Sequence, residues 1–191
     1  MLTTSMTPAA KSRPHDHCYL VPGTRLIAGH YPGSFDPDEG RTKLKSLLDF
    51  GVDHFIDVTS PDDRLTPYEE MLREEAGARG IEYRAFPIPD MGITDPNTMN
   101  QILDDLDAAA ESGHTTYIHC WGGVGRTGTV VGCYLVRHGR TGDDALDEVN
   151  RLFRTTKQSS RFPEGSPQMH AQREFVRDWA RYDDASRQTE Q

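Results

Sequence analysis

The segment from His119 to Gly128, HCWGGVGRTG, constrains this chain more than any other. The β-branched and aromatic run from Thr115 to His119 leads into its cysteine and predicts a short strand. The apolar run from Thr127 to His138 predicts a helix, which Gly139 ends as a C′ glycine. The segment is therefore predicted to be a strand-to-helix loop at a helix N-terminus, where unpaired N–H groups and the helix dipole attract an anion.

The residue types in this loop suit a phosphate held against a sulfur nucleophile. Glycines let the backbone curl so that successive N–H groups point inward, and Arg126 adds a planar fork for two phosphate oxygens. Cys120 lies at the mouth of this positive cradle, which favours thiolate, a nucleophile able to form a covalent phosphoryl intermediate. The predicted phosphate-binding residues are Trp121, Gly122, Gly123, Val124, Gly125 and Arg126.

Two neighbouring residues are predicted to support this chemistry. The Thr127 hydroxyl is expected to reach back toward the sulfur and to stabilise it as a leaving group. His119 is expected to orient the backbone of Cys120 rather than to act as a base, because adjacent strand residues point to opposite faces. The predicted catalytic residues of the loop are thus Cys120, Arg126 and Thr127, with His119 in support.

These residues resemble the His-Cys-x5-Arg-Ser/Thr signature of the cysteine-dependent protein tyrosine phosphatases, in the form typical of small dual-specificity-like members from prokaryotes. The resemblance covers residues 25–180. It implies a general acid aspartate on a mobile loop before the cysteine, and Asp90, in the segment FPIPDMG, fits that position. Asp95 is the alternative, although Asp95-Pro96 is also typical of an N-cap followed by proline at N1 of a helix.

The same resemblance implies two glutamines, four residues apart, that position the attacking water. Gln168 and Gln172 have that spacing just before the last predicted helix. The spacing is equally typical of an ordinary solvated helix start, so both interpretations stay open. The resemblance further implies that catalysis requires no metal and no other cofactor.

Strand and helix patterns alternate along the chain and predict an α/β fold, a mostly parallel central sheet flanked by helices. Ligands bind beyond the carboxyl ends of the strands in such sheets, and both Cys120 and Asp90 follow predicted strands. Thr66-Pro67 is expected to cap the second helix. We predict a single phosphatase domain over residues 18–182, with flexible tails at 1–17 and 183–191.

Composition limits the partners and the compartment. A net charge of −9 argues against a nucleic-acid or membrane-surface partner. No apolar run approaches the length of a membrane span or of a signal-peptide core. Three cysteines, an odd number, together with a required free thiol, favour a reducing compartment, so the cytoplasm and a monomer are predicted.

The other cysteines and nearby histidines are open to more than one interpretation. Cys133 lies in an apolar helix and is predicted to be a core residue. Cys18 could instead form a protective disulfide with Cys120, as in some members of the family it resembles. His15, His17 and Cys18 look like metal ligands, but no second pair completes a site, and a flexible tail fits them better.

The sequence therefore predicts a protein phosphatase that hydrolyses phosphotyrosine, and also phosphoserine or phosphothreonine, through a cysteinyl-phosphate. Three alternatives stay open. One is a phosphoinositide or inositol phosphate phosphatase, although lipid-directed relatives tend to place lysines inside the loop. The others are a non-catalytic phosphate-binding module and an arsenate reductase or sulfur transferase, which shares the Cys-x5-Arg spacing.

Overall fold

A five-stranded sheet forms the centre of the computed structural model, which describes residues 13–189, with side chains as far as residue 183. The strand order is β1-β2-β5-β3-β4; β1 pairs antiparallel with β2, and all other neighbours are parallel. This confirms the predicted mostly parallel sheet. The strands are β1 Cys18–Leu20, β2 Leu26–Gly29, β3 His54–Asp57, β4 Glu82–Ala85 and β5 Thr116–His119.

Six helices cover the two faces of the sheet. Helices α1 and α2 pack on one face, and α3 to α6 pack on the other. Successive residues of β5 point to opposite faces, as the period of two requires: Tyr117 joins the α1 and α2 side, and Ile118 joins the other. The helices are α1 Pro37–Phe50, α2 Glu69–Ala76, α3 Pro96–Glu111, α4 Gly125–Arg137, α5 Gly142–Phe153 and α6 His170–Thr189.

Local capping signals predict most helix ends. The Asp95 side chain accepts hydrogen bonds from the backbone N–H groups of Asn97 and Thr98 at 3.0 and 3.1 Å, so its capping role is confirmed. Gly139 has the positive φ, 93°, that a C′ glycine supplies. Helix α4 starts two residues earlier than predicted, at Gly125, so the end of the loop is also the first turn of the helix.

The predicted Thr66-Pro67 cap is wrong. Helix α2 begins at Glu69, and its N-cap residue, Tyr68, makes no capping hydrogen bond through its side chain. The Tyr68 ring is buried and its hydroxyl bonds to His119, so tertiary packing sets this helix start instead of the local cap signal.

Parts of both predicted tails contact the rest of the protein. Arg13 donates to the Thr155 carbonyl at 2.9 Å, and Asp16 bonds to Lys157 through its carbonyl at 2.8 Å and through its carboxylate at 2.8 Å. At the other end, α6 continues past residue 182, and the buried Asp183 carboxylate pairs with Arg137 at 2.8 Å. Residues 1–12 and 190–191 of the predicted tails lie outside the described residues.

The strand register brings four chain segments to one edge of the sheet. Gly29, His119, Asp57 and Ala85 are aligned across β2, β5, β3 and β4, so these strands end at the same level. The segment after β5 carries the cysteine loop, and the segments after β3 and β4 carry aspartates. The arrangement matches the expectation that a ligand site lies beyond the carboxyl ends of the strands.

Candidate active site

The backbone groups of the loop after β5 differ in their hydrogen bonding. Two of its carbonyls bond to groups outside the loop: the Trp121 carbonyl accepts from Tyr31 N–H at 3.0 Å, and the Val124 carbonyl accepts from the Ser166 hydroxyl at 2.7 Å. Across the described residues, the backbone N–H groups of 121–126 have no hydrogen-bond acceptor. Free N–H groups at the start of a thirteen-residue helix are an anion-binding arrangement.

Gly123 is the loop glycine whose conformation demands glycine. Its φ is +69°, and a Cβ there would lie 2.4 Å from the carbonyl carbon of Gly29 at the end of β2. Gly125 serves a different purpose, because a Cβ there would lie 2.9 Å from the Gln172 side-chain amide. The loop is therefore pressed between β2 on one side and α6 on the other.

One cavity is lined by most of the residues that the sequence assigns to the site. These are Cys120, Trp121, Gly122, Val124, Gly125 and Arg126 of the loop, together with Asp90, Gln168 and Gln172. Gly123, His119 and Thr127 are not among its lining residues. Met91 and Phe162, which the sequence did not single out, complete its rim. Asp95, the alternative acid, caps α3 and is not among the lining residues.

The Arg126 guanidinium bonds to two carboxylates, one buried and one half-exposed. Asp63 accepts from Nη1 at 2.6 Å and from Nη2 at 3.2 Å, and its side chain is only 6% exposed. Asp90 accepts from Nη2 at 3.0 Å and is 54% exposed. Burial is the largest single influence on Arg126 and disfavours its charge, but the hydrogen bonds to Asp63 and the neighbouring acidic groups together outweigh it and raise the pKa of the guanidinium. Asp63 is thus a fixed partner and Asp90 an exchangeable one.

Asp63 is the site residue that the sequence analysis missed. It lies in a 3-10 turn, Pro61–Asp63, shortly after β3, where its carboxylate also accepts from the Ser60 N–H at 2.8 Å. Two signals could have found it: an acidic residue three positions after a serine, and its place beyond a strand that neighbours β5.

His119 lies in a buried polar network behind the cysteine. The Tyr68 hydroxyl is 2.6 Å from its Nε2, and its Nδ1 is 3.4 Å from the Cys120 carbonyl oxygen and 3.9 Å from the Asp57 carboxylate. Burial lowers the pKa of His119, an effect that Asp57 opposes. If Tyr68 donates to Nε2, the tautomer with the proton on Nδ1 can donate to the Cys120 carbonyl, which is the geometry expected of an orienting residue.

The Thr127 hydroxyl lies buried in the first turn of α4 without a hydrogen-bond partner. Its expected bond to the Cys120 sulfur is therefore not formed in the described structure. A buried hydroxyl with no partner is unfavourable by about 1–3 kcal/mol, so a hydrogen bond from this group to an acceptor that forms beside it would stabilise the protein.

The side-chain amides of Gln168 and Gln172 differ in whether they are already hydrogen-bonded within the protein. The Gln172 side chain is buried, with Nε2 donating to the Gly92 carbonyl at 2.9 Å and Oε1 accepting from the Met169 N–H at 3.0 Å. It therefore ties the segment that carries Asp90 to α6. The Gln168 side chain also lines the cavity, and no such bond within the described structure occupies its amide.

The structure argues against a Cys18–Cys120 disulfide. Cys18 is opposite Gly29, and Gly29 is opposite His119, so two strand spacings of roughly 4.8 Å separate the cysteine positions. The side chains also join opposite faces of the sheet. Bridged Cα atoms usually lie about 4.4–6.8 Å apart. Burial raises the pKa of the Cys18 thiol to about 11, and it also raises that of Cys133, which packs in the core as predicted.

Within residues 13–183, no group of three or more histidine, cysteine, aspartate or glutamate side chains is arranged to hold a metal ion. Among the helices of residues 13–189, none has the length and apolar character needed to cross a bilayer.

A family model and several curated proteins match parts of this chain. Residues 33–176 match the family described as "PTP-SAK: Swiss Army Knife protein, DSP-PTPase phosphatase domain". A 57-residue stretch is 37% identical to cyclin-dependent kinase inhibitor 3 of Sus scrofa and covers 30% of this chain and 27% of that protein. The chain thus spans about a quarter of the curated relatives that it matches.

Solved structures show the same fold. Tk-PTP in its active form superposes with a TM-score of 0.68 at 21% identity, covering 86% of this chain and 97% of that one. Kinase associated phosphatase, with its catalytic-site cysteine replaced by serine, superposes with a TM-score of 0.71 at 18% identity, covering 93% and 98%.

Proposed function

Because the chain belongs to the PTP-SAK family of DSP-PTPase phosphatase domains, we propose that it is a protein phosphatase acting on phosphotyrosine and also on phosphoserine and phosphothreonine. The observation that carries this proposal is the meeting of Cys120, Arg126 and Asp90 in one cavity at the carboxyl edge of the sheet. A nucleophile that must remain a free thiol suits a reducing compartment, so we place the enzyme in the cytoplasm, as a monomer.

In the first step, the Cys120 thiolate attacks phosphorus in line with the leaving oxygen. An S–P bond forms as the P–O bond breaks, and Asp90 donates its proton to the leaving oxygen. The N–H groups of 121–126 and the Arg126 guanidinium stabilise the equatorial oxygens. These groups supply the electrostatic stabilisation themselves, so the mechanism includes no metal.

Binding of the substrate phosphate changes the partners of Arg126. Asp63 and the Ile88 carbonyl hold Nη1, whereas the Nη2 bond to the half-exposed Asp90 is the one that a phosphate can replace. The exchange gives the guanidinium a phosphate oxygen and releases the Asp90 carboxyl beside the leaving group. Asp63 is thus proposed as the positioning residue that keeps the Arg126 guanidinium oriented toward the phosphate-binding loop.

In the second step, a water hydrolyses the cysteinyl-phosphate. Asp90, now a carboxylate, accepts a proton from that water, the new P–O bond forms, and the sulfur leaves as thiolate. We assign the placing of this water to Gln168, since both amide groups of Gln172 are engaged elsewhere. The unpartnered Thr127 hydroxyl is proposed to donate to the departing sulfur.

The sequence of the loop and the placement of the cysteines favour this function over its alternatives. A lipid-directed enzyme is expected to carry lysines in the loop, and WGGVG contains none. A reductase needs a second thiol within reach, but Cys18 lies two strands away and Cys133 is buried in α4. A pure binding module has no need for a nucleophile and an acid in the same cavity.

Matched peptides phosphorylated on tyrosine, serine or threonine, with an inositol phosphate as comparison, test the proposed substrate class. We expect turnover of the peptides in EDTA, with phosphotyrosine hydrolysed fastest and the inositol phosphate slowest. Released phosphate is the measurement. Faster hydrolysis of the inositol phosphate would transfer the assignment to the lipid-directed class, and a requirement for added metal would contradict the thiolate mechanism.

Replacing Asp90 by asparagine is expected to lower kcat by about 10²–10³-fold on peptide substrates, because the leaving oxygen loses its proton donor. The matched control is Asp95→Asn. Asparagine caps helices as well as aspartate does, so this variant keeps the α3 cap and its kcat should stay within about twofold of the wild type. A large loss in Asp95→Asn with little loss in Asp90→Asn would reverse the assignment of the acid.

A further inference from the structure

A second, wider cavity adjoins the one that contains Cys120. The two share Trp121, Gly122 and Phe162, so they form one continuous depression with the phosphate cradle at one end. The second cavity extends away from Asp90 toward α1 and the segment after β2. We call this second cavity the flanking groove. Its position means that whatever is attached to a bound phosphate can continue into it.

The charge of the flanking groove differs from that of the whole chain. The protein carries a net charge of −9, yet the groove is lined by Lys43 and Arg161 with a single carboxylate, Glu39. That carboxylate is already engaged, by Lys43 at 2.9 Å and by the Ser34 hydroxyl at 2.7 Å. Arg161 is exposed, and its guanidinium has no ion-pair partner within the described residues.

The histidines of the groove add no charge to it. Burial lowers the pKa of His17, and Lys157 and Lys43 lower it further. Burial, reinforced by His17, lowers the pKa of His30 to about 3. Both imidazoles are therefore neutral at pH 7. Since Lys43 is paired with Glu39, the cation of the groove that is available to an anion is Arg161.

The walls of the groove are aromatic. Phe35 is 85% exposed and Trp121 is 56% exposed, which is unusual for rings of this size. Together with Phe162 they offer flat apolar surfaces on which an extended chain can lie. The opposite side of the Cys120 cavity is different in character: there the exposed lining residues are Asp90 and Met91, and neither is a cation.

We propose that the flanking groove binds the polypeptide on one side of the phosphorylated residue and selects an acidic side chain there through Arg161. Lys43, on the α1 side, is paired with Glu39, so Arg161 carries this selection. The proposal rests on the proposed function and names a substrate preference for it: phosphopeptides with an aspartate, glutamate or second phosphorylated residue on one flank. Neither Asp90 nor Met91 on the opposite side is a cation, so no preference for an acidic side chain is predicted on the other flank.

Kinetics on matched phosphotyrosine peptides test this preference. One pair carries glutamate or glutamine two residues before the phosphotyrosine, and a second pair carries them two residues after it. In the wild type we expect kcat/KM to favour glutamate by about two- to fivefold in one pair only, the range of a solvent-exposed ion pair. The preference should weaken at high ionic strength.

Arg161→Gln should bring that ratio to about one, mainly by raising KM for the glutamate peptide, and Arg161→Glu should invert it. The matched control is Arg140→Gln, an exposed arginine beyond the far end of α4, which should leave the ratio as in the wild type. Arg161→Gln and Arg140→Gln each remove one positive charge, so a comparison of the two separates the effect of a local contact from that of a change in net charge.

Several results would overturn the proposal. Equal kcat/KM within both wild-type peptide pairs would overturn it while leaving the phosphatase function intact. So would a loss in Arg161→Gln that is the same for glutamate and glutamine peptides, or a matching loss in Arg140→Gln. Absence of turnover for every phosphopeptide would overturn the proposed function and this preference together.

Discussion

Replacing Cys120 by serine is expected to abolish turnover, with kcat lower by about 10⁴-fold or more on every substrate. A serine hydroxyl is far less acidic than a thiol and stays protonated, and His119, whose Nδ1 faces the Cys120 carbonyl, is not placed to remove the proton. The N–H groups of 121–126 and Arg126 are unchanged, so the variant should still bind phosphopeptides. Phosphate release and calorimetric binding measure the two effects.

Cys18→Ser is the control for this variant. The Cys18 thiol donates to the His15 carbonyl at 3.1 Å, a bond that a serine hydroxyl can also form. Because Cys18 lies two strands from β5 and outside the cavity, kcat should match that of the wild type. Turnover that survives Cys120→Ser, or a comparable loss in Cys18→Ser, would contradict the assignment of the nucleophile.

Many features encoded within a few residues were predicted correctly, although the Thr66-Pro67 cap was not. Alternation of apolar strands and amphipathic helices predicts the mostly parallel sheet, and Asp95-Pro96 predicts the start of α3. The separation of Asp90 from Asp95 follows from the same local chemistry, since one of the two has a capping role and the other has none. The loop is recognisable because its glycines, arginine and cysteine are contiguous.

Features that depend on distant contacts were not predicted. Asp63 binds Arg126 across 63 residues of chain, and Gln172 reaches Gly92 across 80, so neither role is visible as a spacing. Strand β1 has three residues, too few to show alternation. The docking of Arg13 and Asp16 on residues 155–157 is likewise a tertiary effect, which is why those residues resemble a polar tail in the sequence.

Arg126 combines a local and a distant contribution. Its phosphate-binding role was predicted from the loop, but its orientation is set by groups that the loop does not contain: the buried carboxylate of Asp63 and the carbonyl of Ile88. A planar guanidinium can hold these with one edge and present another edge to a phosphate. The proposed function is therefore expected to depend on the geometry of this side chain as well as on its charge.

Arg126→Lys is accordingly expected to lower kcat by about 10³-fold, although it keeps the positive charge. An ammonium can pair with the buried Asp63 carboxylate, which preserves the fold, but it cannot also reach two phosphate oxygens from the same position. Kinetics on phosphopeptides and thermal unfolding separate these effects. Arg126→Met, by contrast, leaves Asp63 buried without its partner and should lower the free energy of unfolding by about 3–5 kcal/mol.

Arg137→Lys is the matched control for the loss of activity. Arg137 is a second buried arginine of α4, paired with Asp183 at 2.8 Å and Asp104 at 2.6 Å at the end of the helix away from the loop. Its replacement should lower stability to a similar extent as Arg126→Lys and leave kcat within about twofold. If both variants lose activity equally, the loss reflects a weakened α4, and the bidentate contact with phosphate is not the reason that Arg126 is required.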